Sequence, residues 1–136
     1  MTKHLLDSDA VIDFLYDIAG SIELINLLFE VGDTPCTCDI VVAEVFTGLA
    51  PGEEGRAVQL FGALEYLPTT MAAARQAGEW RHQYRRRGRA YATTDCLIAA
   101  VAVTHQAALV TGNLRDFPMP ELTIVPLPRT LQSGRS

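Results

Sequence analysis

Lysine, histidine and cysteine are scarce in this sequence of 136 residues. It has one lysine, Lys3, and its three histidines are scattered, which argues against a catalytic site built on paired histidines. The three cysteines (Cys36, Cys38 and Cys96) are an odd number and no signal peptide is evident, so disulfides are not expected. Cys-x-Cys alone supplies too few ligands for structural zinc. We therefore expect all three cysteines to be small buried side chains.

Long apolar runs are also absent. No stretch approaches the length of a membrane span, so we expect a protein of the cytoplasm. The apolar content of 49% and the charged content of 20% are ordinary for a globular protein. The length suits one domain, and no internal repeat or low-complexity segment divides it. We expect a single domain at residues 1–128, followed by a flexible C-terminal tail at residues 129–136.

The net charge of −5 conceals a difference between the two halves of the chain. Residues 1–65 carry 12 acidic residues against two basic ones, whereas residues 66–136 carry nine arginines against four acids. Five of those arginines lie in "RHQYRRRGR", at residues 81–89. A helix end accounts for only one or two of them. The others predict a local patch for the phosphates of a polyanion, formed by Arg85, Arg86, Arg87 and Arg89.

Segments typical of strands and helices alternate along the chain, which predicts a mostly parallel α/β sheet covered on both faces. The strand patterns are "KHLLD", "PCTC", "YLPTT", "AALVT" and "LTIVPL". We expect two helices in residues 10–31, with a break at Gly20 and Ser21. Gly88 is expected to end a long helix rich in alanine and arginine. Thr93 and Thr94 are expected to cap the apolar helix that follows.

Four acidic residues occupy positions where a site is expected. In parallel α/β sheets, ligands bind outside the carboxyl ends of the strands. Asp7 ends the first strand, Asp95 opens an apolar helix, and Asp116 follows the strand "AALVT". Glu44 lies among apolar residues in "IVVAEVF". Each has an ordinary explanation alone, as a helix-dipole partner, a turn residue or a solvated helix face, but together they predict one site.

Such a cluster requires a positive partner, because carboxylates repel one another and burial disfavours their charge. Lysine is nearly absent, and the arginine run lies elsewhere in the sequence. A divalent cation is the simpler partner, and oxygen ligands favour Mg²⁺ or Mn²⁺ over Zn²⁺. Such an ion orients and acidifies water and neutralises phosphate oxygens, which suits phosphodiester hydrolysis.

Over about residues 4–127, the sequence resembles the PIN-domain family, and within it the VapC-like toxins of prokaryotic toxin–antitoxin pairs. The segments that carry the resemblance are "LLDSD", "VVAEVFTGL", "TTDCLIAAVA" and "LVTGNLRDF", in the family's order. The resemblance implies an α/β/α sandwich and an endoribonuclease that depends on Mg²⁺ or Mn²⁺. It also implies an RNA substrate, a small VapB-like antitoxin that blocks the acidic pocket, and a homodimer.

The same resemblance implies roles for individual residues. Asp7, Glu44 and Asp95 correspond to the family's core acidic residues, which bind metal and carry catalysis. Asp116 matches the fourth acidic position. Its supporting polar neighbours in the match are Thr111 and Asn113.

Two positions depart from the family's pattern. Asp9 stands where relatives often carry a neutral residue, and we favour a helix cap over an additional metal ligand for it. Gly112 stands where many relatives carry a basic residue, which lowers the positive charge near the substrate. The four core acids are unaffected by either change.

Three alternatives remain open at this point. The first is that the chain is an inactive PIN-fold binding module, although the complete acidic set favours an enzyme. A phospho-accepting receiver domain also gathers acids and Mg²⁺ at strand ends, but it needs a lysine after a late strand, and Lys3 precedes the first. Finally, the apolar excess in residues 10–29 indicates either a plain core stripe or a surface for a second copy or an antitoxin.

Overall fold

Five short strands form one parallel sheet in the computed structural model, which describes residues 1–128. The strands are β1 (Lys3–Leu6), β2 (Thr34–Thr37), β3 (Glu65–Tyr66), β4 (Ala108–Thr111) and β5 (Ile124–Pro126). Their order in the sheet is β3-β2-β1-β4-β5. The predicted parallel sheet is therefore confirmed. The predicted tail at residues 129–136 lies outside the described residues.

Helices connect the strands and flank the sheet. They are α1 (Ser8–Leu15), α2 (Ala19–Glu30), α3 (Asp39–Gly48), α4 (Glu54–Ala63), α5 (Met71–Arg86) and α6 (Thr93–Thr104). A 3₁₀ turn (Leu114–Asp116) follows β4. Within residues 1–128, no helix has both the length and the apolar character to cross a membrane. The arrangement is the predicted α/β/α fold, with the helices on either side of the sheet.

The core lies between the sheet and its helices. Leu5 in β1 and Leu109 in β4 pair with each other and are fully buried. Helix α6 is buried over most of its circumference, which explains its nearly continuous apolar sequence. The three cysteines are buried and free, as predicted. Burial raises the pKa of both Cys36 and Cys38 to about 11, so these thiols stay protonated at neutral pH.

The first two helices separate earlier than the sequence predicts. The break falls at residues 16–18, where Asp17 has a φ of 61°, a left-handed conformation that Asp tolerates better than most residues. Gly20 and Ser21, the predicted break, lie inside α2. The buried Ser21 hydroxyl donates to the carbonyl of Ala10 (2.6 Å) and so ties α2 to α1. Gly20 lies against Pro128, which passes over the start of α2.

The predicted threonine cap of α6 is also wrong. The helix begins at Thr93, so Ala92 occupies the N-cap position, and no side chain caps it. Ala92 has the extended backbone of a cap residue, with φ −66° and ψ 143°, which leaves both threonines in the first helical turn. The predicted stop of α5 at Gly88 is confirmed, since this glycine has a φ of 77°.

Replacing Gly20 with alanine tests the packing of Pro128. At an open helical position, glycine to alanine stabilises a protein by up to about 1 kcal/mol. At Gly20 the new methyl group would collide with the carbonyl oxygen of Pro128, so we expect a lower urea midpoint of unfolding. Gly78→Ala in α5 is the matched control, because nothing lies within 4 Å of the added carbon, and its midpoint should rise. Equal rises in both variants would contradict the contact.

Candidate active site

Asp7 lies at the carboxyl end of β1, directly beside the end of β4. Its N–H donates to the carbonyl of Val110 (2.9 Å), and its Oδ2 accepts a hydrogen bond from the Thr111 hydroxyl (2.7 Å). Only 4% of Asp7 is exposed. The pairing of Leu6 with Val110 explains the contact, because it brings the residue after β1 level with the last residue of β4.

Asp7 also caps α1. Its Oδ1 accepts the N–H of Ser8 (2.8 Å), so both carboxylate oxygens have a donor and the side chain is held in one orientation. The prediction that Asp9 caps this helix is therefore wrong. Because the helix begins at Ser8, immediately after the strand, the capping position belongs to Asp7 and Asp9 lies in the first turn.

Asp9 instead reaches the turn after β4. Its Oδ2 accepts a hydrogen bond from the backbone N–H of Gly112 (2.8 Å). This contact joins the start of α1 to the loop that carries Asn113 and Asp116. The sequence does not predict this contact, because any residue except proline has a backbone N–H that can donate.

Asp95 lies in the first turn of α6 and is half-buried. Its pKa is raised to about 6, first by burial, then by the negative charge of Asp116, and then by that of Glu44. Glu44 is half-buried on α3, and Asp116 is exposed at the end of the 3₁₀ turn. The predicted acids from the second half of the chain therefore lie near each other and near Glu44.

The pKa of Asp7 is also affected by neighbouring carboxylates. Its pKa is raised from 3.8 to about 7, first by burial and then by the negative charge of Asp9, with a smaller effect from Asp95. The hydrogen bonds from Thr111 and Ser8 act in the opposite direction, since they stabilise the carboxylate. The fold thus brings the four predicted acids, together with Asp9, into one acidic cluster.

This acidic cluster has little positive compensation. Across the part of the chain that the structure describes, none of Asp7, Glu44, Asp95 and Asp116 forms an ion pair. Among residues 1–128 there is also no group of three or more His, Cys, Asp or Glu side chains already arranged around a metal position. The carboxylates are close enough to repel one another, and would have to draw together to share an ion.

The polar neighbours of the cluster form a short chain of hydrogen bonds. The Thr111 hydroxyl donates to Asp7 and accepts the backbone N–H of Asn113 (3.0 Å). The side chain of Asn113 is exposed beside the cluster's loop. Thr111 therefore fixes both a carboxylate and the turn that leads to Asp116.

The predicted arginine patch lies at the end of α5 and just beyond it. Its four arginines are exposed, and an open cavity of about 290 Å³ is lined by Gln83, Arg86 and Arg87. Tyr84 is buried behind it and packs edge-on against Tyr91, with ring centroids 5.1 Å apart. Within residues 1–128, none of these arginines forms an ion pair with Asp7, Glu44, Asp95 or Asp116.

An apolar cavity of about 120 Å³ lies between α1 and α3. Its lining residues are Ile12, Leu15, Tyr16, Val45, Gly48 and Leu49. The apolar excess of residues 10–29 includes the residues that α1 contributes to this cavity. The sequence does not predict that α3 forms the opposite wall. The two helices that form its walls also carry Asp9 and Glu44 of the acidic cluster.

Comparisons with known proteins find relatives in sequence and in fold. The PIN domain model matches residues 4–118. Ribonuclease VapC19 of Mycobacterium tuberculosis is 30% identical over 115 residues, which cover 85% of this chain and 92% of the relative. Ribonuclease VapC10 of the same species is 31% identical over 116 residues, which cover 85% and 86%. A chain from the DNA-bound VapBC structure of Salmonella typhimurium has a TM-score of 0.81 and 27% identity, covering 94% of this chain and all of that one.

The raised pKa of Asp7 predicts a particular dependence of stability on pH. In the native state this carboxyl keeps its proton up to a pH of about 7, whereas its ordinary pKa is 3.8. Native stability therefore falls as the pH rises through this interval. Asp7→Asn removes the titration, so without metal it should be more stable than the parent at pH 8, by at most about 4 kcal/mol. At pH 4 the two proteins should differ little.

Urea unfolding of metal-free protein at a series of pH values measures this difference. Glu23→Gln is the matched control, because it removes an exposed carboxylate on α2, outside the acidic cluster. Its curve should run parallel to that of the parent. A parallel curve for Asp7→Asn would contradict the raised pKa.

Proposed function

The chain belongs to the PIN-domain family, and on this basis we propose that it is a metal-dependent endoribonuclease, the toxin of a VapBC-type toxin–antitoxin pair. The observation that carries the proposal is the acidic cluster, in which Asp7, Glu44, Asp95 and Asp116 lie near one another and form no ion pair within residues 1–128. Two relatives named as ribonucleases support RNA as the substrate. Family membership also removes the receiver-domain alternative.

A Mg²⁺ or Mn²⁺ ion fits the chemistry of the donor set. Asp7, Glu44, Asp95 and Asp116 would hold it, since hard divalent cations prefer oxygen ligands. Burial and then neighbouring negative charge raise the pKa values of Asp7 and Asp95, and a bound cation would lower both. Glu44, Asp95 and Asp116 retain some exposure, which gives them the room to turn toward an ion. Such an ion supplies Lewis-acid stabilisation of phosphate oxygens and acidifies a bound water.

The chain's own residues provide the orientation that the chemistry needs. Asp7 is held in one orientation by two donors, the N–H of Ser8 and the hydroxyl of Thr111. Thr111 and Asp9 fix the start of the loop that carries Asp116. Preorganised groups of this kind lower the reorganisation needed at the moment of reaction. In this proposal, Asp7 would be the fixed ligand of the ion and the exposed Asp116 would complete the ligand set.

The arginine patch supplies attraction for the RNA backbone. Its guanidinium groups are exposed and are therefore open to contact with RNA phosphates. Contacts of this type are insensitive to base sequence, and they make binding fall as salt concentration rises. The patch therefore contributes affinity rather than a choice of cleavage site.

The partner in this proposal is a VapB-like antitoxin, which fits the VapBC complexes among the similar solved structures. The cavity between α1 and α3 is apolar and takes one anchoring side chain, as in helix-in-groove recognition. A partner seated there contacts the two helices that carry Asp9 and Glu44. It therefore lies within reach of the acidic cluster. The homodimer implied by the resemblance stays a prediction.

Cleavage of a pool of structured RNAs by the purified chain tests this function. With Mg²⁺ or Mn²⁺ we expect discrete fragments, and with EDTA we expect none. Asp7→Asn should reduce cleavage at least about a hundredfold, because it removes a charged ligand from the acidic cluster. Glu23→Gln is the control and should cleave like the parent.

Intact RNA with the parent in every lane, despite Mg²⁺ binding shown by calorimetry, would favour an inactive PIN-fold binding module. Cleavage by Asp7→Asn at the parental rate would remove Asp7 from the mechanism.

A further inference from the structure

The loop after β4 lines an open cavity beside the acidic cluster. The cavity has a volume of about 370 Å³, and its lining residues are Gly112, Asn113, Leu114, Arg115 and Asp116. We propose that this cavity is a subsite for the nucleotide next to the cleaved phosphate, with Leu114 against the base and Arg115 on the neighbouring phosphate. This inference rests on the proposed ribonuclease function.

The loop is held from both ends, so the cavity is part of the folded structure. Asp9 accepts the N–H of Gly112 (2.8 Å), and Thr111 accepts the N–H of Asn113 (3.0 Å). Within the loop, the N–H of Asp116 donates to the carbonyl of Asn113 (3.1 Å). Phe117 follows and is 3% exposed, which anchors the far end in the core. A preformed wall of this kind requires little ordering when a ligand binds.

Continuity with the acidic cluster gives the cavity its place in the reaction. Asp116, a member of the acidic cluster, is itself one of the residues that line the cavity. Gly112 lines it as well, and its backbone N–H donates to Asp9, another member of the cluster. A phosphate at the acidic cluster therefore has its neighbouring nucleotide at this loop.

Leu114 provides an apolar surface in an otherwise polar cavity. It is 49% exposed, whereas Phe117 and Met119, the next large apolar residues along the chain, are buried. Leu114 is therefore not needed to fill the core beneath the loop. A nucleobase presents a flat, weakly hydrated face, and covering a half-exposed leucine with it removes apolar area from water on both sides.

Arg115 provides the positive charge that the acidic cluster lacks. It is exposed, and among residues 1–128 it forms no ion pair. It is the sole basic residue among residues 112–116, which line the cavity. The acidic cluster repels RNA phosphates, so a guanidinium beside Asp116 makes the approach of the backbone more favourable.

The size of the cavity also falls in the range of about 300–1,000 Å³ that is typical of small-ligand sites.

Fluorescence anisotropy with labelled single-stranded oligoadenylate and oligouridylate tests the subsite. The Asp7→Asn protein serves as the background, and a gel checks that the probes stay intact. We expect Arg115→Ala to weaken binding about tenfold, as loss of one charge-assisted contact does. It should also reduce the slope of log affinity against log salt by about 0.7, the value for one phosphate contact on a single strand. Arg115→Lys should restore most of the slope.

Matched controls separate a local contact from a general change of charge or surface. Arg75→Ala removes one exposed positive charge from the start of α5, outside the arginine patch, and should leave the salt slope unchanged. Leu114→Ser should weaken binding about threefold with an unchanged slope, because it removes an apolar contact and no charge. Val58→Ser, at a side chain that is 60% exposed on α4, is its control and should bind like the background.

The outcomes distinguish the subsite from the function. If the parent cleaves RNA while Arg115→Ala and Leu114→Ser bind like their controls, the subsite is wrong and the ribonuclease stands. If the parent neither binds nor cleaves RNA, both are wrong. Equal losses of slope in Arg115→Ala and Arg75→Ala would also overturn the subsite, because they would show only the effect of net charge.

Discussion

The hydrogen bond from Thr111 to Asp7 is the contact on which the site depends. It joins two side chains that are 104 positions apart in sequence, and it does so at the ends of two paired strands. The same carboxylate begins α1, and the same hydroxyl holds the loop after β4. The position of one buried aspartate therefore depends on the register of β1 and β4, and the start of α1 and the loop after β4 depend on the contacts that it makes. A change in the register of β1 against β4 would separate all three.

The acidic cluster is electrostatically unfavourable around Asp7 and Asp95. Burial and like charge both disfavour ionisation of Asp7 and Asp95, and the described chain supplies no ion pair in return. The rest of the fold stabilises this arrangement through a core formed by the buried strands β1, β2 and β4 and by most of α6. Sites that need a bound cation often show this pattern, because the charge that stabilises them belongs to the ligand.

Much of the fold follows from sequence pattern. Alternation of strand and helix patterns predicts the parallel sheet, and the rule that ligands bind at strand ends predicts where Asp7 and Asp116 lie. The break between α1 and α2 escapes prediction because Gly20 is needed for close packing against Pro128, whereas Asp17 makes the turn. Such a contact between distant parts of the chain has no local pattern.

Part of the site can also be predicted from the sequence, and part of it cannot. The four acids are visible in the sequence because each stands at a strand end, a helix start or an apolar helix face. The role of Asp9 is not visible, since its partner is the backbone N–H of Gly112. The cavity at Leu114 and Arg115 also depends on the folded loop, and an exposed leucine between polar residues is only a weak signal for it.

Location of a bound cation tests the central claim most directly. Crystals of the full chain, grown with Mn²⁺ and measured at its absorption edge, would show the ion as an anomalous-difference peak. The account predicts a strong peak in direct contact with the carboxylates of Asp7 and Asp95. Peaks confined to exposed surface carboxylates, such as Glu54 at the start of α4, would contradict it.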